Sequence, residues 1–140
     1  MKNLMIAALL SFACLPPVAG GDWPMGRKNP ARTGASDEVA RPPLTHKWTS
    51  AVLAGGARFI SSPAVARGVV YIGGEDNTVQ AFNAYTGELL WSYATGGFVD
   101  ATPAISSGTL YTNSYDGNLY ALNAENGALR WKSATGGRDM

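Results

Sequence analysis

Ala81-Phe82-Asn83-Ala84-Tyr85-Thr86-Gly87-Glu88-Leu89-Leu90-Trp91 comes back forty residues later as Ala121-Leu122-Asn123-Ala124-Glu125-Asn126-Gly127-Ala128-Leu129-Arg130-Trp131. Laid outward from this stretch without a gap, Ser62–Gly97 and Thr102–Gly137 share fifteen of thirty-six positions, where composition alone gives about two or three. The shared residues include Pro63/Pro103, Gly68/Gly108, Tyr71/Tyr111, Asp76/Asp116 and the closing Ala-Thr-Gly-Gly at Ala94 and Ala134. A unit of this length with four short apolar segments predicts a four-stranded sheet per repeat, since helical repeats would space apolar residues by three and four.

Within a unit the breakers separate the strands. Ala64 to Ala66 is a short first strand, Gly68 turns the chain, and Val69-Val70-Tyr71-Ile72 is the second, dense in β-branched and aromatic residues. Asp76-Asn77 and Asp116-Gly117 accept left-handed backbone angles and close a hairpin into the third strand, Thr78 to Phe82 or Asn118 to Leu122. Gly87 supplies positive φ in the next turn, and Glu88 to Tyr93 forms the outer strand. The third strand is apolar or small on both faces, as Val79, Gln80, Ala81 and Phe82 show. A sheet with one wet face alternates more cleanly. The fold class expected is therefore all-β, four-stranded antiparallel sheets stacked face to face as β-propeller blades.

The stretch Ala81–Trp91 resembles the tryptophan-docking motif of the pyrroloquinoline-quinone (PQQ) type propeller repeats, with Ala81, Asn83, Thr86-Gly87-Glu88 and Trp91 in place. The second copy matches at Ala121, Asn123, Gly127 and Trp131 but has Asn126 for the Thr and Ala128 for the Glu. The likeness covers about 48–137 and is similar in style to the propeller component of the outer-membrane β-barrel assembly machinery and to the quinoprotein dehydrogenases. It implies that Trp91 and Trp131 are blade-docking residues, each indole stacking on the small surface that Ala81 or Ala121 and the Gly87 or Gly127 turns offer. The alternative for the two indoles is an aromatic ligand cage.

Upstream, Lys2 precedes an apolar run from Leu4 to Leu15, followed by Pro16-Pro17 and small residues to Gly20. Residues 1–20 read as a signal peptide, too short in its apolar core to span a bilayer, and no later stretch is long enough. Periplasmic or secreted location follows as an expectation. Cys14, the one cysteine, is an apolar residue of that signal or a lipid-modified anchor; Ser11 stands where lipoprotein signals usually carry Leu. Residues 21–47 form an extended lead-in rich in Pro and Gly, and Trp48 with residues to 57 resembles the outer strand of a further, partial unit. The blades at 62–97 and 102–137 with this partial strand are short of the roughly four to eight that close a ring. The expectation is an incomplete propeller of two blades plus a partial one, a fragment of a longer propeller.

Eleven Lys and Arg against ten Asp and Glu, scattered without runs, imply no nucleic-acid partner. Searching for chemistry yields no catalytic, cofactor-binding or metal-ligating residue. His46 is the one histidine, so imidazole–thiolate metal sites and Ser-His-Asp catalysis have no support. Glu75, Asp76 and Asp116 sit at hairpin turns, and Asp100 opens a blade, in a solvated loop or facing a central channel. The expected function is a noncatalytic binding or scaffolding module whose partners are proteins or the remaining propeller blades, with no cofactor in this chain. The alternative is the N-terminal part of a PQQ-dependent alcohol or sugar dehydrogenase, in which PQQ and calcium are held by residues beyond Met140.

Overall fold

The computed structural model describes residues 22–31, 43, 45–50 and 58–135. The signal segment 1–20 with Cys14, most of the lead-in, 51–57 of the partial unit and Gly136-Gly137 lie outside the described residues. Eight strands follow in order: β1 (Ala64–Ala66), β2 (Val69–Gly73), β3 (Thr78–Asn83), β4 (Leu89–Ala94), β5 (Ala104–Ser106), β6 (Thr109–Asn113), β7 (Asn118–Asn123) and β8 (Leu129–Ala134). They make two antiparallel four-stranded meanders, β1-β2-β3-β4 and β5-β6-β7-β8. The all-β class and the pair of propeller-type blades, not closed into a ring, are thus what the chain adopts.

Turn chemistry places the strands. Asn77 and Gly117 take φ of 64° and 79° in the β2–β3 and β6–β7 hairpins, where Asn and Gly tolerate left-handed angles best. The outer strand starts one residue later than Glu88, because the Glu88 carbonyl accepts the Asn83 amide and so belongs to the turn. No strand forms over 45–50, so the part of the expected strand at 48–57 that is described is not extended sheet.

A bulge decides which way the indoles face. Ala81 pairs with Trp91, yet the adjoining Phe82 pairs with Leu89, so Leu90 is the extra residue; Ala121, Trp131, Leu122 and Leu129 repeat the arrangement. Without the inserted residue Leu90 would oppose Ala81 and Trp91 would point to the other face. As it is, Tyr71, Ala81 and Trp91 stand side by side on the face of the first blade that meets the second.

The core lies between the sheets. Tyr71, Val79, Ala81 and Trp91 of the first blade pack with Leu110, Tyr120, Leu122 and Ala124 of the second, with Val99 from the connection. All four of Val79, Gln80, Ala81 and Phe82 are buried, as befits a strand covered on both faces. Val99 packs directly on Gly73, where an added Cβ would lie 2.3 Å from a Val99 methyl. This contact fixes where the chain enters the second blade.

Candidate functional site

The joint between the blades brings together the most hydrogen-bonded docking residues among the described residues. Asn123 builds its acceptor side: the Asn123 side-chain oxygen receives the Glu125 amide at 2.9 Å, and the Asn123 carbonyl receives the Gly127 amide at 2.8 Å. Gly127 has φ of 74°, and a Cβ there would sit 2.6 Å from Cε3 of Trp91. Only a residue without a side chain lets the indole lie flat on the turn. The Ala124 carbonyl then takes two donors from the first blade, Nε1–H of Trp91 at 3.1 Å and the hydroxyl of Tyr71 at 3.1 Å. The two rings lie 6.0 Å apart at 48°. Burial raises the Tyr71 hydroxyl above the usual tyrosine range; nearby Arg67 opposes this and Asp22 adds to it. Tyr71 therefore stays a donor at all ordinary pH.

The same turn recurs on the first blade with a different occupant. Gly87 has φ of 75°, Tyr85 and Gly87 amides reach Asn83 as their counterparts reach Asn123, and Nε1–H of Trp48 donates to the Ala84 carbonyl at 3.0 Å. A Cβ on Gly87 would lie 2.5 Å from Cε3 of Trp48. Sequence reasoning tied Trp48 to a missing strand and gave it no turn to rest on; its partner thirty-six residues away is visible only in three dimensions. Lys47 adds a cation over the Tyr85 ring, 4.7 Å from its centre.

The described docking residues thus occupy different positions. Trp91 is buried against Gly127, and Ala81 and Ala121 are fully buried beside the indoles of their own sheets. Trp131 is 44% exposed, paired with Tyr111 at 6.1 Å and 52°. Gly87 carries Trp48 rather than another blade's outer strand.

The carboxylates do not converge. Among the described residues no three His, Cys, Asp or Glu side chains gather around a common point. Asp76 closes its hairpin by accepting from the Thr78 amide and hydroxyl at 3.1 and 2.7 Å. Asp116 accepts from the Asn118 amide at 3.1 Å, from the Gly96 amide at 3.0 Å and from the Tyr120 hydroxyl at 2.5 Å. Burial alone would raise the Asp116 carboxyl, but the bonds from Tyr120, Asn118 and Gly96 outweigh it and hold the pKa below the usual value. Burial first, and then Asp116 itself, push Tyr120 up to about 12. Glu75 pairs with Arg58 at 3.7 Å, and Asp100 is partly buried, its Oδ1 without a donor among the described residues.

Two further features border the joint. A groove of about 560 Å³ is lined by Asp22, Arg67, Tyr71, Glu125 and Arg130 among others, mixed in charge. The lead-in crosses the inner edges of both sheets: Trp23 exchanges two backbone bonds with Val65, at 2.5 and 2.6 Å, and the Pro24 carbonyl accepts the Ile105 amide at 2.7 Å. Asp22 fixes the lead-in further by accepting the Arg67 amide at 2.7 Å. In the sequence Trp23-Pro24 reads as part of a breaker-rich lead-in; edge pairing of this kind leaves no side-chain signature, since it uses only backbone groups. No helix among the described residues is long and apolar enough to cross a membrane.

Comparison with solved structures agrees with this architecture. BamB from Moraxella catarrhalis matches with a TM-score of 0.51 and 23% identity over 55% of this chain and 24% of that one. Quinohemoprotein alcohol dehydrogenase from Comamonas testosteroni matches at 0.60 and 22% over 82% of this chain and 19% of that one. Quinohemoprotein alcohol dehydrogenase ADHIIG from Pseudomonas putida HK5 matches at 0.51 and 28%, over 57% of this chain and 13% of that one. The likeness therefore spans no more than about a quarter of each of these longer chains. No curated protein matches. The model of one repeat family, that of outer membrane protein assembly factor BamB, matches residues 45–140. On that match, and on two blades joined as described, the chain belongs to the BamB-type family of PQQ-like propeller repeats, related in fold to the PQQ dehydrogenases.

Proposed function

We propose that this chain is an exported, noncatalytic binding or scaffolding module that works through protein partners. The family match over 45–140 carries the reading. The chemistry of the described residues supports it: the polar groups of Asp76, Asp116 and Asn123 are spent on closing turns and joining sheets. What such a module offers a partner is a rigid, flat-sided stack with loops at its ends, and rigidity lowers the ordering cost of binding. The segment 1–20 would direct the chain to the periplasm or beyond. In this reading Trp91 is the residue that holds one blade to the next, and Trp131 is its counterpart on the following face.

The second reading, part of a PQQ-dependent dehydrogenase, draws on the 28% identity with the Pseudomonas putida alcohol dehydrogenase. One experiment separates the two. The full-length protein, including any residues that follow Met140, is incubated with PQQ and calcium and assayed for quinone absorbance changes and for dye reduction with alcohols. The scaffold reading expects neither, together with saturable binding to a purified component of the outer-membrane β-barrel assembly machinery. Alcohol-dependent dye reduction overturns it.

A further inference from the structure

We infer that the groove at the blade joint is a binding site for a zwitterionic di- or tripeptide with apolar side chains, its carboxylate held by Arg67 and its ammonium by Glu125. This goes beyond the proposed function and does not rest on it. The groove holds about 560 Å³, within the roughly 300–1,000 Å³ common for small-ligand sites. Its floor is apolar: Ala66, Tyr71 and Ala124 are buried, and Val69 and Ile105 are partly so.

Both walls belong to the two sheets that the chain forms. Val69 and Tyr71 stand on the face of the first sheet that meets the second, and Ile105, opposite the buried Leu110, stands on the face that looks back. Tyr111 and Trp131 occupy the other face of the second sheet. A further blade stacked there would leave the groove as it is.

Charge decides what the groove fits. Each wall carries both signs, Asp22 with Arg67 beside the first blade and Glu125 with Arg130 on the second, and all four residues are exposed. Asp22 is engaged by the Arg67 amide at 2.7 Å, and Arg130 donates to the Gly108 carbonyl at 3.3 Å. Among the described residues the one ion pair is Arg58–Glu75, so the Arg67 guanidinium and the Glu125 carboxylate face the groove from opposite walls without a salt-bridge partner there. Sheets packed face to face stand about 10 Å apart, and an extended peptide covers about 3.3–3.6 Å per residue. The two ends of a di- or tripeptide therefore match the gap, whereas a free amino acid carries both charges on one carbon and reaches only one wall.

Isothermal titration calorimetry of the full chain with the tripeptide Ala-Leu-Ala tests this. The free-ended peptide is expected to bind saturably, and amidating its C-terminus or acetylating its N-terminus should each weaken binding about fivefold, the upper worth of an exposed ion pair. Arg67→Gln should abolish the penalty for amidation and keep that for acetylation, Glu125→Gln should do the reverse, and Arg67→Lys, which retains the charge, should keep both. Absence of saturable binding overturns the proposal. Equal binding of the peptide blocked at both ends also overturns it, since the groove would then seat an internal stretch of polypeptide. So do blocking penalties that are the same in both glutamine variants as in wild type, which would put the peptide elsewhere on the molecule.

Discussion

Trp91 and Gly127 belong to different sheets, yet the indole lies so close on the glycine that a Cβ there would meet Cε3 at 2.6 Å. Two independent demands fall on this one position, positive φ and empty space. The joint between blades is therefore written into a turn as much as into an apolar face, and each demand can be removed separately.

Gly127→Ala and Gly108→Ala make that separation. Both glycines have φ near 74°, at 74° and 73°, but a Cβ on Gly108 meets nothing within 4 Å. Gly108→Ala should lose only the backbone term, about 1 kcal/mol. Gly127→Ala should lose at least about 2 kcal/mol more, because the Trp91 ring must move off the turn. Urea unfolding of both variants reads the difference, and equal losses would show that the indole does not rest there.

The two repeat tryptophans should differ in stability although their sequences match. Trp91 is 9% exposed and Trp131 is 44% exposed. Trp91→Ala is expected to cost about 3–5 kcal/mol, and Trp131→Ala under about 1 kcal/mol in this chain. Chemical denaturation at low protein concentration checks both.

The Asp116–Tyr120 bond predicts opposite behaviour at the two ends of the pH scale. Asp116 titrates below its usual value in the folded chain, so its contribution is complete above the unfolded value near 3.8 and is lost as pH falls through the folded pKa. Tyr120 titrates near 12 instead of 10. Its contribution is complete below pH 10 and is lost as pH rises towards 12. Absorbance at the tyrosinate band should show Tyr120 ionising late, as Tyr71 also does, and Asp116→Asn should bring the Tyr120 step to lower pH and flatten the acid limb of the stability profile.

Hydrogen exchange tests the lead-in. Val65 and Ile105 lie in edge strands, whose outward amides normally exchange fast. Their bonds to Trp23 and Pro24 should slow them markedly in the intact chain, and removing residues 22–28 should restore fast exchange at these two amides while leaving Tyr71 and Ala81 protected.

The repeat made the strand order legible, because short apolar runs broken by Gly68, Asp76-Asn77 and Gly87 leave the chain few other ways to satisfy its backbone bonds. Strand limits came within a residue at most positions, and the miss at Glu88 has a local cause, its carbonyl being taken by Asn83. Trp48 was harder to read. Its neighbourhood resembles the outer strand of a further unit, but the absence of strand over 45–50 and the choice of the Gly87 turn depend on contacts thirty-six residues away.

Local sequence determined the sheets, since turn angles and side-chain alternation act over two to four residues and both repeats carry the same signals. Tertiary structure alone decided which tryptophan is buried, which is covered by the chain's own segment and which is left open. Trp91 and Trp131 sit in nearly identical strands with the same bulge; whether an indole is a core residue or a surface depends on the sheet that stands next to it, and burial is a property of that neighbour as much as of the residue.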